Sequence, residues 1–207
     1  MHIRTHLAMK PVSLALLFAL FTLSTKLALT SDVYDVDGKP VVNGGSYYAI
    51  YNEPGGGPVT LAKVGNETLP ISVVLGSFYG NSNKRSVKFH VRGSQISYYV
   101  PTNFALDIEF SHTPDGVQSS QWTVGKKDLL VRIDNEEQGI LPGIFKIKKN
   151  SGTGYVYRIV FCPHGEACFP VGAERVDSGE AQLVVTDGEA IPFVFSRAEG
   201  DSATLAI

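Results

Sequence analysis

Two cysteines with a histidine between them are the residues whose types and spacing most plainly carry chemistry. Cys162 and Cys168 enclose the segment Pro-His-Gly-Glu-Ala, which contains His164. Two thiols and one imidazole do not match the usual zinc patterns, which need four ligands, or three with a water. In an oxidising compartment two such cysteines form a disulfide by default. We therefore predict a Cys162–Cys168 disulfide, with no metal site and no cofactor.

A pair of carboxylates is the second candidate for chemistry. Asp107 and Glu109 alternate with Leu106, Ile108 and Phe110, so both acids fall on one face of a predicted strand. A glycosidase needs two carboxylates at a defined separation around a cleft, whereas this alternation equally describes the solvent side of a half-buried strand. Gly-x-Ser-x-Gly, His-Glu-x-x-His and dinucleotide-binding motifs are absent from the sequence. We predict that the protein is not an enzyme.

The composition is that of an ordinary globular protein. The chain has 207 residues, of which 43% are hydrophobic and 18% are charged, with 18 Lys and Arg against 20 Asp and Glu. This length is enough to bury a core within a single domain. The formal net charge of −2 argues against a nucleic-acid binder, which usually presents a basic face.

Residues 1–30 have the pattern of a secretory signal peptide. A basic start with Arg4 and Lys10 precedes the apolar run PVSLALLFALFT, and small and polar residues follow. The run is shorter than the roughly 20 residues of a membrane-spanning helix. We expect a secreted protein, extracellular or vacuolar, formed by a domain over residues 31–207 and not membrane-bound after cleavage. Asn66, in the sequon Asn-Glu-Thr, is then a predicted glycosylation site on a surface turn.

The elements that must position these residues are short strands. The apolar runs are rich in Val, Ile, Tyr and Phe and are bounded by Gly, Pro, Asn and Asp, and none has the length or period of an amphipathic helix. An all-β barrel or sandwich follows. The predicted strands are 47–51, 71–75, 87–91, 96–100, 106–110, 129–133, 144–148, 155–161, 183–186 and 191–195.

A weak internal repeat favours the barrel. Three stretches share the plan of strand, glycine turn and strand, with turn glycines Gly65, Gly125 and Gly188 at spacings of 60 and 63 residues. Repeats at a fixed period define the architecture of a chain. Three pseudo-repeats of about four strands each predict a β-trefoil, with a two-sheet sandwich as the alternative.

Four segments resemble the Kunitz-type soybean trypsin inhibitor family. They are VYDVDGKPVVNGGSYYAI at the start of the domain, VGNETLPISVVL, SSQWTV and YRIVFCP. The resemblance runs from Val33 to about Phe195 and implies a β-trefoil that inhibits proteases. Most members of the family carry two disulfides. Only Cys162 and Cys168 are retained here, and the positions of the missing pair are occupied by Leu69 and Gly116.

The resemblance also implies a reactive loop that a protease binds as it would a substrate. In this chain the predicted loop comprises His90, Val91, Arg92, Gly93, Ser94 and Gln95. Arg92 is the predicted specificity residue, because trypsin-like pockets carry a buried acid that pairs with a cation. Lys84 and Arg85 are the alternative specificity residues. Asn43 corresponds to the asparagine that supports the loop in the family.

The resemblance implies a partner as well as a loop. We predict a monomeric inhibitor of a trypsin-like serine endopeptidase, with a cysteine protease as a further partner in some relatives, in the setting of a plant seed or plant defence. The alternative is a non-inhibitory trefoil for storage, defence or carbohydrate binding, which the unfamiliar loop sequence favours. Trp122 is predicted to lie in the core rather than to stack on a sugar.

Overall fold

Twelve β-strands and no helix make up the described part of the chain, consistent with the strand-like sequence pattern. The computed structural model describes residues 31–76, 84–93, 97–134, 139–152, 154–165, 167–176 and 179–198. The predicted signal peptide, residues 1–30, lies outside the described residues. None of the described residues forms a helix long and apolar enough to cross a membrane. The strands are β1 Ser46–Tyr51, β2 Val59–Ala62, β3 Ser72–Leu75, β4 Val87–Val91, β5 Leu106–Phe110, β6 Trp122–Val124, β7 Val131–Ile133, β8 Gly143–Lys149, β9 Tyr157–Pro163, β10 Phe169–Arg175, β11 Ala181–Val185 and β12 Phe193–Arg197.

Six of the strands close into an antiparallel barrel. Their order is β12-β1-β4-β5-β8-β9, and a pairing between β9 and β12 at Tyr157 and Phe193 closes the ring. In β5 the buried residues Leu106, Ile108 and Phe110 alternate with Asp107 and Glu109, as the period-2 pattern predicts. Closure leaves these six strands without a free sheet edge.

The other six strands form three hairpins that pair with one another. The hairpins are β2–β3, β6–β7 and β10–β11. β3 pairs with β7 and with β11, and an isolated bridge between Leu130 and Val184 links the β6–β7 and β10–β11 hairpins. Each third of the chain thus contributes two strands to the barrel and one hairpin to this set of three, which we call the cap. The predicted β-trefoil of three four-stranded units is confirmed.

One of the three stretches assigned to the internal repeat, the third, was assigned wrongly. The stretches that turn at Gly65 and Gly125 are the hairpins β2–β3 and β6–β7, but the stretch around Gly188 joins β11 to β12. β12 pairs with β1 and β9, so β11 and β12 do not form a hairpin with each other. The equivalent hairpin is β10–β11, which was missed because Phe169–Arg175 contains Pro, Gly and two charges and lacks alternation.

Aromatic side chains fill the barrel. Phe89 and Phe195 are fully buried and meet edge to face with ring centroids 5.0 Å apart, and Tyr157 stacks on Phe195 at 5.7 Å. Trp122 is 2% exposed and packs between Phe110 and Phe145, which confirms its predicted place in the core. Aromatic pairs of this geometry add to the stabilisation from buried area.

A polar network joins the three hairpins of the cap. Arg132 on β7 pairs with Glu67 at 3.2 Å and with Asp128 at 2.8 Å. Glu67 also accepts a hydrogen bond from Ser72 Oγ, which in turn accepts one from the buried amide of Gln182 on β11. Each charge in this network therefore has a partner, as burial requires.

The predicted disulfide is confirmed. Cys162 ends the buried part of β9, and Cys168 directly precedes β10. The bond therefore closes the turn of a β9–β10 hairpin in which Phe161 pairs with Phe169. No group of three or more metal-ligating side chains occurs in the described part of the chain.

Leu69 and Gly116, the positions assigned to the missing disulfide, are neighbours. A Cβ atom built on Gly116 would lie 3.5 Å from both terminal methyl groups of Leu69. The two positions assigned to the missing disulfide are therefore close together in the fold. Gly116 has φ of +80°, a backbone conformation that residues other than glycine adopt only with strain.

The double variant Leu69→Cys/Gly116→Cys is expected to form a second disulfide. The closed loop is long, so the cross-link should raise the free energy of unfolding by about 2–4 kcal/mol, less about 1 kcal/mol for the positive φ at Gly116. Thiol titration and urea unfolding measure the two effects. Gly116→Cys alone is the control, because it carries the strain without the bond. Two free thiols in the oxidised double variant would show that the two positions do not meet.

Candidate functional site

The predicted loop residues lie at the end of β4 and at the start of the connection from β4 to β5. His90 and Val91 are strand residues, because the β4–β5 ladder pairs them with Asp107 and Leu106. Their prediction as loop residues is therefore corrected: the apolar alternation of β4 continues through Val91 and the ladder continues with it. Arg92 and Gly93 follow the strand. Ser94 and Gln95 lie outside the described residues.

Asn43 bridges the two sides of this connection. Its Oδ1 accepts a hydrogen bond from the backbone N–H of Val91 at 3.0 Å, and its Nδ2 donates to the carbonyl of Ser97 at 3.0 Å. Its own backbone N–H donates to the carbonyl of Tyr98. One side chain therefore fixes the distance between residues 91 and 97, and with it the ends of the segment 92–96, which we call the braced segment.

The position of Asn43 is set by a tight turn on the barrel. Gly45 N–H donates to the carbonyl of Val42, and Gly44 N–H donates to the carbonyl of Phe89. Gly44 has φ of +79°, which explains the glycine. The backbone N–H of Val42 donates to the hydroxyl of the buried Tyr47. The turn that positions Asn43 is thus hydrogen-bonded to a side chain of the core.

Arg92 is paired with Asp107 on the outer face of the barrel. Its Nε donates to Asp107 Oδ2 at 2.7 Å, and its Nη2 donates to Oδ1. Gln121 Nε2 also donates to Oδ1, at 2.8 Å. The hydrogen bond to Asp107 raises the pKa of the Arg92 guanidinium above its ordinary value. The backbone N–H of Arg92 donates to the carbonyl of Ala105.

Each of the two carboxylates of β5 is hydrogen-bonded to a side chain of β4 or of the residue directly after it. Glu109 accepts from His90 Nε2 at 3.0 Å, and Asp107 binds Arg92. All four groups are partly exposed on the outer face of two adjacent strands. The acids therefore serve cross-strand pairs, and they do not face each other across a cleft as a glycosidase pair would.

The alternative specificity residues lie elsewhere. Lys84 and Arg85 precede β4, at the opposite end of the strand from Arg92. At about 3.3 Å per residue, five strand residues separate the two ends by about 17 Å. The Asn43 side chain makes its hydrogen bonds to Val91 and Ser97, beyond the other end of the strand. Asn66 and Thr68 are both exposed in the connection between β2 and β3, where a glycan would meet solvent; occupancy stays a prediction.

Sequence reasoning missed the partners of Arg92. Asp107 was singled out as a carboxylate and Gln121 was not, and neither was linked to the loop. The contact depends on the register that sets β4 against β5 and on the bridge that brings Gln121 to Glu109. A long-range pairing of this kind has no local sequence signal.

The fold and the braced segment together define a class of protein. It is a β-trefoil in which the connection between two barrel strands is held at its ends by hydrogen bonds from a neighbouring turn. Comparison with known proteins places the chain within that class. The family model described as "Trypsin and protease inhibitor", the legume Kunitz family, matches residues 33–197. The chain belongs to this Kunitz family of protease inhibitors, which are inhibitors and not enzymes.

Curated relatives and solved structures agree with this assignment. The chain is 34% identical to a Kunitz-type trypsin inhibitor-like 2 protein of Pisum sativum, over 94% of this chain and 97% of that protein. It is 31% identical to the structure of a Kunitz-type trypsin inhibitor from Cicer arietinum, with a TM-score of 0.72, covering 81% of this chain and 99% of that one. A soybean trypsin inhibitor in complex with porcine pancreatic trypsin has a TM-score of 0.72 at 22% identity, covering 82% of this chain and all of that one. This last likeness concerns the fold alone.

Proposed function

We propose that the chain inhibits a serine endopeptidase by offering part of the braced segment, Arg92 through Gln95, to the active site as a substrate would be offered. The observation that carries the proposal is the Asn43 side chain, which holds both Val91 and Ser97. A segment whose two ends are held in place before binding loses less conformational entropy when it binds. If the protease cuts the segment, both new ends stay tied to one asparagine, so they can be rejoined instead of released.

A trypsin-like target is the finer part of this proposal and depends on Arg92. Arg92 is the one cation in the braced segment, and a guanidinium pairs well with a carboxylate at the base of a specificity pocket. The relatives named as trypsin inhibitors support testing trypsin first. To enter the pocket, however, Arg92 must exchange Asp107 for the carboxylate of the protease.

Secretion belongs to the same proposal. The Cys162–Cys168 bond is of a kind that persists in oxidising compartments, where extracellular proteases also act. We propose a secreted inhibitor that acts as a single chain on a single protease molecule, in the extracellular space or the vacuole.

Titration of four proteases tests the function. Purified protein is added to trypsin, chymotrypsin, elastase and papain, and residual activity is measured against the molar ratio of inhibitor to enzyme. The proposal expects saturable inhibition of at least one of the three serine proteases, reaching completion near a 1:1 ratio. Inhibition of papain alone would move the partner to the cysteine proteases. Inhibition of none would favour the non-inhibitory alternative.

A further inference from the structure

Asn43 is the only asparagine of the chain that is followed by glycine. Because glycine has no side chain to shield its backbone nitrogen, this pair of residues is prone to spontaneous deamidation. The Gly44 nitrogen attacks the Asn43 side-chain carbonyl carbon, a new C–N bond closes a succinimide ring, and the side-chain nitrogen leaves as ammonia with the proton of the Gly44 nitrogen. Water then opens the ring to aspartate or to isoaspartate, in which the backbone runs through the former side chain.

In the folded protein both reacting groups are already hydrogen-bonded. The Gly44 N–H donates to the carbonyl of Phe89 at 2.8 Å. The side-chain oxygen of Asn43 accepts from the Val91 N–H and its amide nitrogen donates to the Ser97 carbonyl, each at 3.0 Å. Ring closure requires the side chain to turn toward the Gly44 nitrogen and that nitrogen to release its proton. All three hydrogen bonds therefore oppose the reaction.

The backbone around the pair is restrained by a turn that is hydrogen-bonded to the core. The Gly45 N–H donates to the Val42 carbonyl at 3.1 Å. Gly44 has φ of +79° and Asn43 does not have a positive φ, which together define a type II turn. The Val42 N–H donates to the hydroxyl of the buried Tyr47 at 3.0 Å. Asn43 and Gly44 are only partly buried, so water reaches them once the turn opens.

We propose that Asn43 is a site of spontaneous deamidation that the hydrogen bonds of its turn protect, and that opening of the turn converts it irreversibly to aspartate or isoaspartate. Aspartate has no donor for the Ser97 carbonyl. Isoaspartate adds one carbon to the backbone within the turn, which displaces the side-chain oxygens from both partners. The chemistry does not depend on the proposed function. Its consequence, a weaker inhibitor, rests on that function, because it requires that the Asn43 contacts support inhibition.

Deamidation rates in the folded and unfolded protein test the protection. The full chain is incubated at mildly alkaline pH with and without denaturing urea, and peptide mass analysis follows conversion at Asn43 over time. We expect the folded protein to react slower by about a hundredfold or more, because the turn must first open against its hydrogen bonds. Equal rates in the folded and unfolded protein would overturn the proposal.

Two matched tyrosine variants separate the turn from overall stability. The hydroxyl of Tyr157 accepts a hydrogen bond from the Tyr34 N–H at 2.8 Å, much as the hydroxyl of Tyr47 accepts from the Val42 N–H. Both tyrosines are 1% exposed, so Tyr47→Phe and Tyr157→Phe each leave one buried N–H without its acceptor. Only Tyr47 supports the turn. Tyr47→Phe should speed deamidation of the folded protein about five- to tenfold, and Tyr157→Phe should react like the parent.

The outcomes distinguish this proposal from the proposed function. Equal deamidation rates in the two tyrosine variants would mean that overall stability, and not the turn, protects Asn43, and would overturn the proposal whatever the protein inhibits. These rates are read from peptide masses, so a parent that inhibits no protease leaves them valid. Protein that is deamidated in urea and refolded is then titrated against the most sensitive serine protease. Weaker inhibition by the converted fraction is the expected result, and undiminished inhibition would overturn the functional consequence.

Discussion

Phe195→Ala is expected to lower the free energy of unfolding by about 3–5 kcal/mol, a large part of what a domain of this size possesses. Phe195 has no exposed surface and contacts the rings of Phe89 and Tyr157, which come from two other barrel strands. Truncation leaves a cavity where three strands meet, and these paired backbones cannot collapse to fill it. Urea unfolding followed by far-ultraviolet circular dichroism measures the loss.

Phe169→Ala is the matched control for that experiment. Phe169 lies on β10 and is 40% exposed, so its truncation should cost no more than about 1 kcal/mol. The slope of the unfolding transition should be the same in both variants, since the surface exposed on unfolding hardly changes. Equal losses for Phe195→Ala and Phe169→Ala would mean that the barrel interior does not carry the stability assigned to it.

Asn43→Ala is expected to weaken inhibition roughly 30- to 150-fold while the barrel stays folded. The variant removes the hydrogen bonds to Val91 and Ser97, at about 1 kcal/mol each. It also frees the ends of the braced segment, which must then be ordered on binding at about 0.5–1.5 kcal/mol per side chain. Inhibition constants against the most sensitive serine protease measure the change, and thermal melting checks the fold.

Two further variants test whether the expected loss of inhibition comes from the hydrogen bonds of Asn43 or would follow the removal of any exposed asparagine. Asn43→Asp keeps the acceptor for the Val91 N–H but loses the donor to Ser97, so its inhibition should fall between parent and Asn43→Ala. Asn52→Ala removes an exposed asparagine just after β1, at the far end of that strand from the Asn43 turn, and should inhibit like the parent. If Asn43→Ala inhibits as tightly as Asn52→Ala, the asparagine is an ordinary turn residue.

Strand periodicity predicted the barrel well where one face is buried and the other wet. The strands β4 and β5 have the predicted limits, 87–91 and 106–110, because apolar and polar residues alternate along both. The predicted strand at 96–100 is not found: among its described residues, Tyr99 makes only an isolated bridge to Val42. β10 has strand structure because β9 and β11 pair with it, and this tertiary pairing overrides its own sequence.

The site followed from the sequence only in part. The Asn-Gly-Gly turn at residues 43–45 is a local signal, and its glycine at positive φ is what such a turn requires. The bonds from Asn43 to residues about fifty positions away came only from family resemblance. The bond from Arg92 to Asp107 came from neither source, because the register of β4 against β5 and the outward face of Arg92 decide it together.

The central claim is that the braced segment is the part of the chain that meets the protease, and the bond that the protease cuts tests it most directly. The inhibitor is incubated with the most sensitive serine protease until a cut form accumulates, and intact-mass and peptide analysis locate the cut. We expect a first cut between Val91 and Ser97, with both fragments still associated and still inhibitory, because Asn43 holds both ends. A first cut elsewhere, such as after Lys84 or Arg85, or loss of inhibition on cutting, would contradict the account.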